Sequence, residues 1–183
     1  DLSDYYDCEL NSFDVNLLRV SFNYGLKFIT LLSLLESIKD KTLVVDNPTH
    51  LKNSGEKLFL NSFKAVMPPS IITADKRQIA EFRTEHQDII IKPLFGYGGE
   101  GIFHIKPSSD NLGSLLDMFE NLYHEPVMIQ RYLPEVKNGD KRIILIDGEP
   151  VGAILRTAAK DNIRTNVSTG GTMKKIEITK SDL

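Results

Sequence analysis

Residues 89–105 read IIIKPLFGYGGEGIFHI, and this stretch decides how the rest of the chain is interpreted. Two runs rich in β-branched residues, Ile89–Ile91 and Ile102–Ile105, flank a glycine-rich loop and predict a β-hairpin. Lys92 stands where the first run enters this loop. Successive N–H groups in such a loop can form an anion-binding concavity, and a lysine adds a positive charge that suits phosphate. The stretch predicts a hairpin that covers a phosphate; a glycine-rich hairpin without a ligand is the alternative.

The spacing of the glycines excludes two common nucleotide-binding motifs. A Walker A loop needs Gly-Lys followed by Ser or Thr and then a helix, whereas these glycines run into a second strand. A dinucleotide fingerprint needs a helix that begins at its last glycine, and none is predicted here.

Composition limits the class of protein. The chain has 183 residues, of which 41% are hydrophobic and 26% charged, which predicts one globular domain or one and a half. A net charge of −3 argues against a nucleic-acid partner. The longest apolar run, Phe28–Leu35, is too short to span a bilayer, so no membrane partner is expected. The one cysteine, Cys8, excludes an internal disulfide and favours a reducing, cytoplasmic location.

The first third of the chain gives a mixed pattern. Apolar periodicity predicts a helix over Leu26–Ile38 that is buried on both faces. Short apolar runs predict strands at 15–20 and 42–45, and a polar stretch predicts a linker over 50–55. A further helix is predicted over 56–64. It would be capped by Ser54 and would bury Leu58, Phe59 and Phe63.

The remaining two thirds predict an α+β fold with antiparallel sheets. The expected order is a strand at 70–73, a helix from the cap Asp75 to His86, the central hairpin, a helix over 112–123, a strand at 127–130, a hairpin of 142–146 and 151–155 through Asp147-Gly148, a loop over 157–171 and a strand at 173–178. The histidines at 86, 104 and 124 have no metal-ligand spacing and are interpreted as structural.

Several motifs taken together resemble the bacterial glutathione synthetase family of ATP-grasp ligases. They are EKLF at 56–59, KPLFGYGGEGIF at 92–103, MIQRYLP at 128–134, GDKR at 139–142, DGEP at 147–150, RTN at 164–166 and Gly-Gly at 170–171. Their order and spacing carry the resemblance, which covers roughly residues 15–183. D-alanine ligases and glutamate-adding ligases share this fold.

The resemblance implies an architecture. Residues 54–183 would form an ATP-grasp domain of two α+β subdomains with antiparallel sheets, incomplete at its C-terminal end. Residues 1–53 would be the C-terminal part of an N-terminal substrate domain, the remnant of an α/β pre-ATP-grasp domain. ATP would lie between the two subdomains, under the glycine-rich loop.

The resemblance also implies a reaction. ATP would phosphorylate the C-terminal carboxylate of γ-glutamylcysteine, and the amine of glycine would attack the acyl phosphate to give glutathione, ADP and phosphate. Mg²⁺, with Mn²⁺ as an alternative, would be the metal. A homo-oligomer is left open. The alternatives are a degenerate ATP-grasp module that binds nucleotide without turnover, and a ligase for another amino acid or peptide.

Most of the implied nucleotide contacts fall on the quoted motifs. They are Lys57, Lys92, Gly96, Tyr97, Gly98, Gly99, Gln130, Tyr132, Leu133 and Asp140. The two lysines would hold the α- and β-phosphates. The hinge between the subdomains would be formed by Gln130, Tyr132 and Leu133, whose backbone groups would read the adenine edge; a strand that simply ends at Pro134 is the alternative. Asp140 would accept from the ribose hydroxyls, with a turn aspartate as the alternative.

The implied catalytic residues are arginines, whose planar fork suits phosphoryl and carboxylate groups. Arg142 would contact the γ-phosphate and the developing acyl phosphate, Arg156 the peptide substrate, and Arg164 would lie on a loop that excludes water. The implied substrate contacts are Arg19, Asn166, Gly170 and Gly171. A solvated polar loop is the alternative for Arg164 and Asn166.

The sequence departs from the family pattern in three places. Arg19-Val20-Ser21-Phe22 stands where family members carry a double proline, and Thr172 stands where an arginine is usual. The family's magnesium ligands correspond to positions beyond Leu183, so no metal ligand is expected within this chain. We therefore expect the chain to be part of a longer enzyme, or an inactive fragment.

Overall fold

The structure is a computed structural model that describes residues 7–19, 25–96, 98–160 and 162–183. The chain divides into two compact units, Asp1–Ala65 and Val66–Leu183. Within the described ranges, no helix combines the length and the apolar character needed to cross a membrane.

The first unit contains a small parallel β-sheet. Strands β1 (Val15–Leu17) and β2 (Leu43–Val45) pair in parallel, and helix α1 (Leu26–Glu36) lies between them in the chain. A parallel pair with an intervening helix is the unit from which α/β domains are built. This agrees with the expected remnant of an N-terminal α/β domain. Residues 20–24, which include the last position of the predicted first strand, lie outside the described residues.

The expected burial of α1 on both faces is wrong. Leu32 and Leu35 are buried, but Leu26 is 81% exposed and Leu34 is 63% exposed. The helix is apolar on more faces than this unit covers, which is why periodicity alone overestimated its burial.

The predicted linker over 50–55 is also wrong, because helix α2 occupies Pro48–Asn53. Asn47 caps it, with its side chain accepting the N–H of His50 at 3.1 Å, and Pro48 takes the first helical position. Both residues are favoured at these positions, so the signal was present in the sequence.

The next helix is shorter than predicted. Helix α3 covers Glu56–Leu60 and continues as a 3₁₀ turn over Asn61–Val66. Its N-cap is Gly55, not Ser54. The residues expected to be buried, Leu58, Phe59 and Phe63, are all exposed, although the two phenylalanine rings pack edge to face at 5.2 Å.

The second unit begins with a four-stranded antiparallel sheet. Its strands are β3 (Ser70–Thr73), β4 (Ile89–Pro93), β5 (Phe103–Ile105) and β6 (Val127–Arg131), in the spatial order β3-β6-β4-β5. Helix α4 (Lys76–His86) follows β3, and helix α5 (Leu112–Tyr123) connects β5 to β6. These elements, including the central hairpin, confirm the expectations to within a few residues. Asp75 caps α4 as predicted, accepting the N–H of Arg77 at 2.8 Å.

One face of this sheet forms the core of the unit with the two helices. Its strands contribute Ile89, Ile91, Ile105, Val127 and Ile129, and the helices contribute Ile79, Phe82, Leu112, Leu116 and Phe119. Because side chains alternate along a strand, Ile90 and Lys92 lie on the opposite face. The register places Gln130 and His104 opposite Ile90, hence on that same face. The sheet therefore has an apolar face toward the helices and a face that carries polar groups.

A three-stranded antiparallel sheet completes the second unit. It consists of β7 (Asp140–Ile146), β8 (Glu149–Thr157) and β9 (Thr172–Ile176) in sequential order. The predicted turn at Asp147-Gly148 is confirmed, with φ values of 50° and 84° at the two residues. These values suit the type I′ turn that Asp-Gly favours. The predicted loop is also present, shortened to 158–171 because β8 extends to Thr157.

Candidate active site

Lys92 lies on the polar face of the four-stranded sheet, directly before the glycine loop, which we define as residues 94–102. Its ammonium donates a hydrogen bond to Oε1 of Gln130 at 2.5 Å. Gln130 is 8% exposed, and its amide nitrogen donates to the hydroxyl of Ser70 at 2.9 Å. The predicted phosphate-binding lysine is therefore half-buried and bonded to Gln130 on the neighbouring strand β6, and Gln130 is in turn bonded to Ser70 on β3.

The glycine loop has an unusual backbone. Gly96, Gly98, Gly99 and Gly101 all have positive φ, at 141°, 66°, 84° and 67°. Residues with a Cβ rarely adopt these angles, so the loop conformation accounts for its glycines. Tyr97, predicted at the tip of the loop, lies outside the described residues.

The glycine loop contacts the polar loop, which we define as residues 158–171. A Cβ added at Gly99 would lie 2.7 Å from Oδ1 of Asn166 and 3.0 Å from Cδ of Arg164. A Cβ added at Gly98 would lie 3.6 Å from the hydroxyl oxygen of Ser168. Residues predicted for phosphate binding and for the substrate side are thus brought together, although about 65 positions separate them in the chain.

Hydrogen bonds within the polar loop shape it. The N–H of Arg164 binds Oδ1 of Asn162 at 2.9 Å, and the N–H of Gly171 binds the carbonyl of Asn166 at 3.1 Å. A Cβ at Gly171 would lie 2.5 Å from the carbonyl oxygen of Thr165. Glycine at position 171 thus lets the end of the loop pass close to the backbone of Thr165 in the middle of the loop. This gives Gly171 a packing role; substrate contact by Gly170 and Gly171 stays a prediction.

Asp140 and Arg156 form an ion pair across the three-stranded sheet. The two residues are directly opposite in the register of β7 and β8, and Nε of Arg156 lies 3.1 Å and 3.2 Å from the two carboxylate oxygens. Nη2 of Arg156 makes a further short contact with the same carboxylate. Asp140, predicted to bind ribose, and Arg156, predicted to bind the peptide, therefore form an ion pair with each other on one face of the sheet.

Arg142 belongs to the same sheet face, two residues beyond Asp140, and its side chain is exposed. Burial of Asp140 raises its pKa. Hydrogen bonds from Arg156 and Thr165, together with the charges of Arg156 and Arg142, lower the pKa by more than burial raises it. The net result is a pKa below the usual value for aspartate. The carboxylate therefore stays ionised and keeps Arg156 oriented.

Asp88 and His104, which the sequence did not assign to the site, contact Tyr132 in the predicted hinge segment. Nε2 of His104 lies 2.5 Å from Oδ1 of Asp88, and the imidazole stacks on the ring of Tyr132 with centroids 4.1 Å apart. The carbonyl of Asp88 also accepts the N–H of Tyr132 at 2.9 Å. The interpretation of His104 as structural is consistent with these contacts. No local pattern could have revealed them, because strand pairing creates them.

These contacts reduce the number of backbone groups in the predicted hinge that could bind adenine. The N–H of Tyr132 is bonded to Asp88, so it is not presented to a ligand in this conformation. Burial, followed by the charges of Asp88 and Glu135, raises the pKa of the Tyr132 phenol, which stays neutral. Leu133 is 40% exposed and directly precedes the 3₁₀ turn Pro134–Asn138. Adenine contacts at these positions stay predictions.

Two predicted site residues belong to the first unit. Lys57 lies in α3, and Arg19 follows β1. Their roles stay predictions. Across the described ranges, no three His, Cys, Asp or Glu side chains come together as a group that could hold a metal ion.

Comparison with solved structures identifies the fold. The fold is similar to that of D-cycloserine synthetase DcsG, with a TM-score of 0.74 and 15% identity over 94% of this chain and 62% of that one. It is also similar to a RimK domain ATP-grasp protein from Sphaerobacter thermophilus, with a TM-score of 0.61 and 16% identity over 79% of this chain and 55% of that one. The chain therefore has an ATP-grasp fold.

Sequence comparison identifies the family among the proteins that share this fold. Residues 56–183 match the family model of the prokaryotic glutathione synthetase ATP-grasp domain, and the chain belongs to this family. A glutathione synthetase from Mesorhizobium japonicum is 49% identical over 174 residues, which are 95% of this chain and 56% of that protein. The chain thus spans about half the length of the curated relatives it matches.

Proposed function

We propose that the protein carrying this chain is an ATP-dependent ligase that joins glycine to γ-glutamylcysteine. Transfer of the γ-phosphoryl group of ATP to the peptide carboxylate gives an acyl phosphate and ADP. The amine of glycine then attacks the acyl carbon and phosphate leaves, giving glutathione. The family membership of residues 56–183 and the contact between the glycine loop and the polar loop support this proposal.

The loop contact is the observation that carries the proposal. A phosphoryl-transfer ligase has to hold the nucleotide phosphates beside the acceptor carboxylate and keep water from the acyl phosphate. Gly99 belongs to the predicted phosphate loop and lies against Arg164 and Asn166 of the predicted substrate loop. A contact between two such loops would close the space around a transferred phosphoryl group.

The remaining roles follow from charge. Lys92 supplies a positive charge at the base of the glycine loop, where it would bind the nucleotide phosphates. Arg142 would stabilise charge that develops on the transferred group, and the pair of Asp140 with Arg156 would present an oriented polar edge to ribose or peptide. Catalysis would consist of positioning and charge stabilisation by preorganised groups.

A divalent cation, Mg²⁺ or Mn²⁺, is the metal we propose for this reaction; it would neutralise phosphate charge. The contacts proposed above concern the side chains of this chain, and the metal would act beside them on the nucleotide phosphates.

Phosphate release tests the proposed substrates. We expect release that requires ATP, γ-glutamylcysteine and glycine together. Release with D-alanine or glutamate in place of this pair would assign another substrate, and nucleotide binding without any release would indicate a binding module. Lys92→Met should weaken binding of a non-hydrolysable ATP analogue by at least tenfold, since a charged hydrogen bond contributes about 1.5–3 kcal/mol.

A further inference from the structure

We propose that Ser70 is a positioning residue that sets the direction of the Gln130 side-chain amide and, through it, the position of the Lys92 ammonium. The proposal rests on the proposed function, in which Lys92 binds the nucleotide phosphates. Ser70 belongs to none of the motifs that carry the family resemblance.

Strand pairing places the three side chains on one face of the four-stranded sheet. Ser70 on β3 is directly opposite Gln130 on β6, and Gln130 is directly opposite Ile90 on β4. Lys92 lies two residues beyond Ile90 and therefore points to the same side as Ile90 and Gln130. Three neighbouring strands thus contribute one residue each to a connected row.

The chemistry of each group fixes the direction of the hydrogen bonds in this row. A lysine ammonium only donates, so the amide atom facing Lys92 must be the oxygen, and Oε1 of Gln130 accepts at 2.5 Å. The amide nitrogen then faces Ser70 and needs an acceptor, which the hydroxyl provides at 2.9 Å. The hydroxyl has a single hydrogen, which it donates to the carbonyl of Pro68 at 2.7 Å. Ser70 therefore presents a lone pair, and not a hydrogen, to Gln130.

Loss of the Ser70 hydroxyl would remove this directionality. Gln130 is 8% exposed, so water has little access to replace the lost acceptor. The amide would either keep a buried NH₂ group without its partner or turn over and place that NH₂ group against the ammonium of Lys92. Both outcomes are unfavourable, because a buried donor needs an acceptor and two donors repel.

Binding of a phosphate is compatible with this row. An ammonium carries three hydrogens, so a bond to Gln130 does not prevent bonds from Lys92 to a ligand. The Ser70–Gln130 pair restricts the lysine side chain before the ligand arrives, which reduces the entropy lost when the phosphate binds.

Two isosteric substitutions at Ser70 give the test. Thr and Val have nearly the same shape and both suit a strand, but Ser70→Thr keeps the hydroxyl and Ser70→Val removes it. In the protein that carries this chain, we expect Ser70→Val to weaken binding of a non-hydrolysable ATP analogue about fivefold relative to Ser70→Thr, as for one hydrogen bond. The KM for ATP should rise with it, while the KM for the peptide substrate stays the same.

The same pair of variants, combined with Lys92→Met, separates positioning from a structural role. If Ser70 acts through Lys92, Ser70→Thr and Ser70→Val should bind the analogue equally well once Lys92→Met is also present. Both double variants should melt within a few degrees of the Lys92→Met protein. Equal affinities of the Thr and Val variants when Lys92 is present, or a difference that persists when Lys92→Met is added, would overturn the proposal. An unchanged affinity in Lys92→Met alone would instead overturn the proposed phosphate site on which it depends.

Discussion

The contact between the two loops predicts a specific effect of replacing Gly99 by alanine. Gly99 has φ of +84°, and a Cβ there would lie 2.7 Å from Oδ1 of Asn166 and 3.0 Å from Cδ of Arg164. The substitution therefore introduces both backbone strain and a steric conflict with the polar loop. Gly98, with φ of +66° and 3.6 Å to its nearest neighbour, the hydroxyl of Ser168, provides a matched control for the strain alone.

The two contributions have different sizes. An L-residue in the left-handed region costs roughly 1–2 kcal/mol, and both alanine variants would bear this cost. At Gly99 the added methyl group also meets Oδ1 at the end of the Asn166 side chain, and moving that side chain off its preferred rotamer costs about 0.5–1.5 kcal/mol more. If nucleotide binding requires the observed loop conformation, Gly98→Ala should lose roughly 5- to 30-fold in affinity, and Gly99→Ala should lose more.

Calorimetric titration with a non-hydrolysable ATP analogue measures both losses. Asn166→Ala combined with Gly99→Ala should recover the part of the loss that comes from the steric conflict, because it removes the nearest atom. The reasoning is refuted if the two glycine variants lose the same affinity and Asn166→Ala recovers none of it. Wild-type affinity in both variants would show that nucleotide binding does not need this loop conformation.

Three further predictions concern stability. Gly113→Ala should raise the free energy of unfolding by about 0.5–1 kcal/mol, because Gly113 lies in α5 with no atom within 4 Å of an added Cβ and alanine has the higher helix propensity; chemical denaturation measures this. Asp140→Asn should lower it by roughly 1–2 kcal/mol at neutral pH by breaking the pair with Arg156. Because the Asp140 pKa is lowered in the fold, this contribution is present above the unfolded pKa of about 3.9 and is lost as pH falls through the lowered value, so the two proteins should converge in acid. A constant difference down to about pH 2 would contradict that assignment. His104→Ala should destabilise the second unit by about 1–3 kcal/mol, and His104→Phe by less, since phenylalanine keeps the stack on Tyr132; equal losses in thermal melts would show that the stack contributes little.

Local patterns gave the elements of the second unit with good accuracy. The strand Ser70–Thr73, the helix capped by Asp75 and the turn at Asp147-Gly148 each depend on residues within a few positions of one another. The same reasoning failed at Pro48–Asn53, where polar composition was given more weight than the Asn-Pro start signal. It also overestimated the burial of Leu58 and Phe59, because helical periodicity identifies an apolar face without showing what covers it.

The family and most of the secondary structure of the second unit follow from the amino-acid sequence, because motifs such as KPLFGYGGEGIF and the cap and turn residues are local properties of the chain. Which side chains come into contact depends on the tertiary structure. Gln130 reaches Ser70 over a separation of 60 residues and Lys92 over 38, and the order β3-β6-β4-β5 sets both contacts. Strand order and register are fixed by packing of the whole sheet on its helices, so no single segment encodes them.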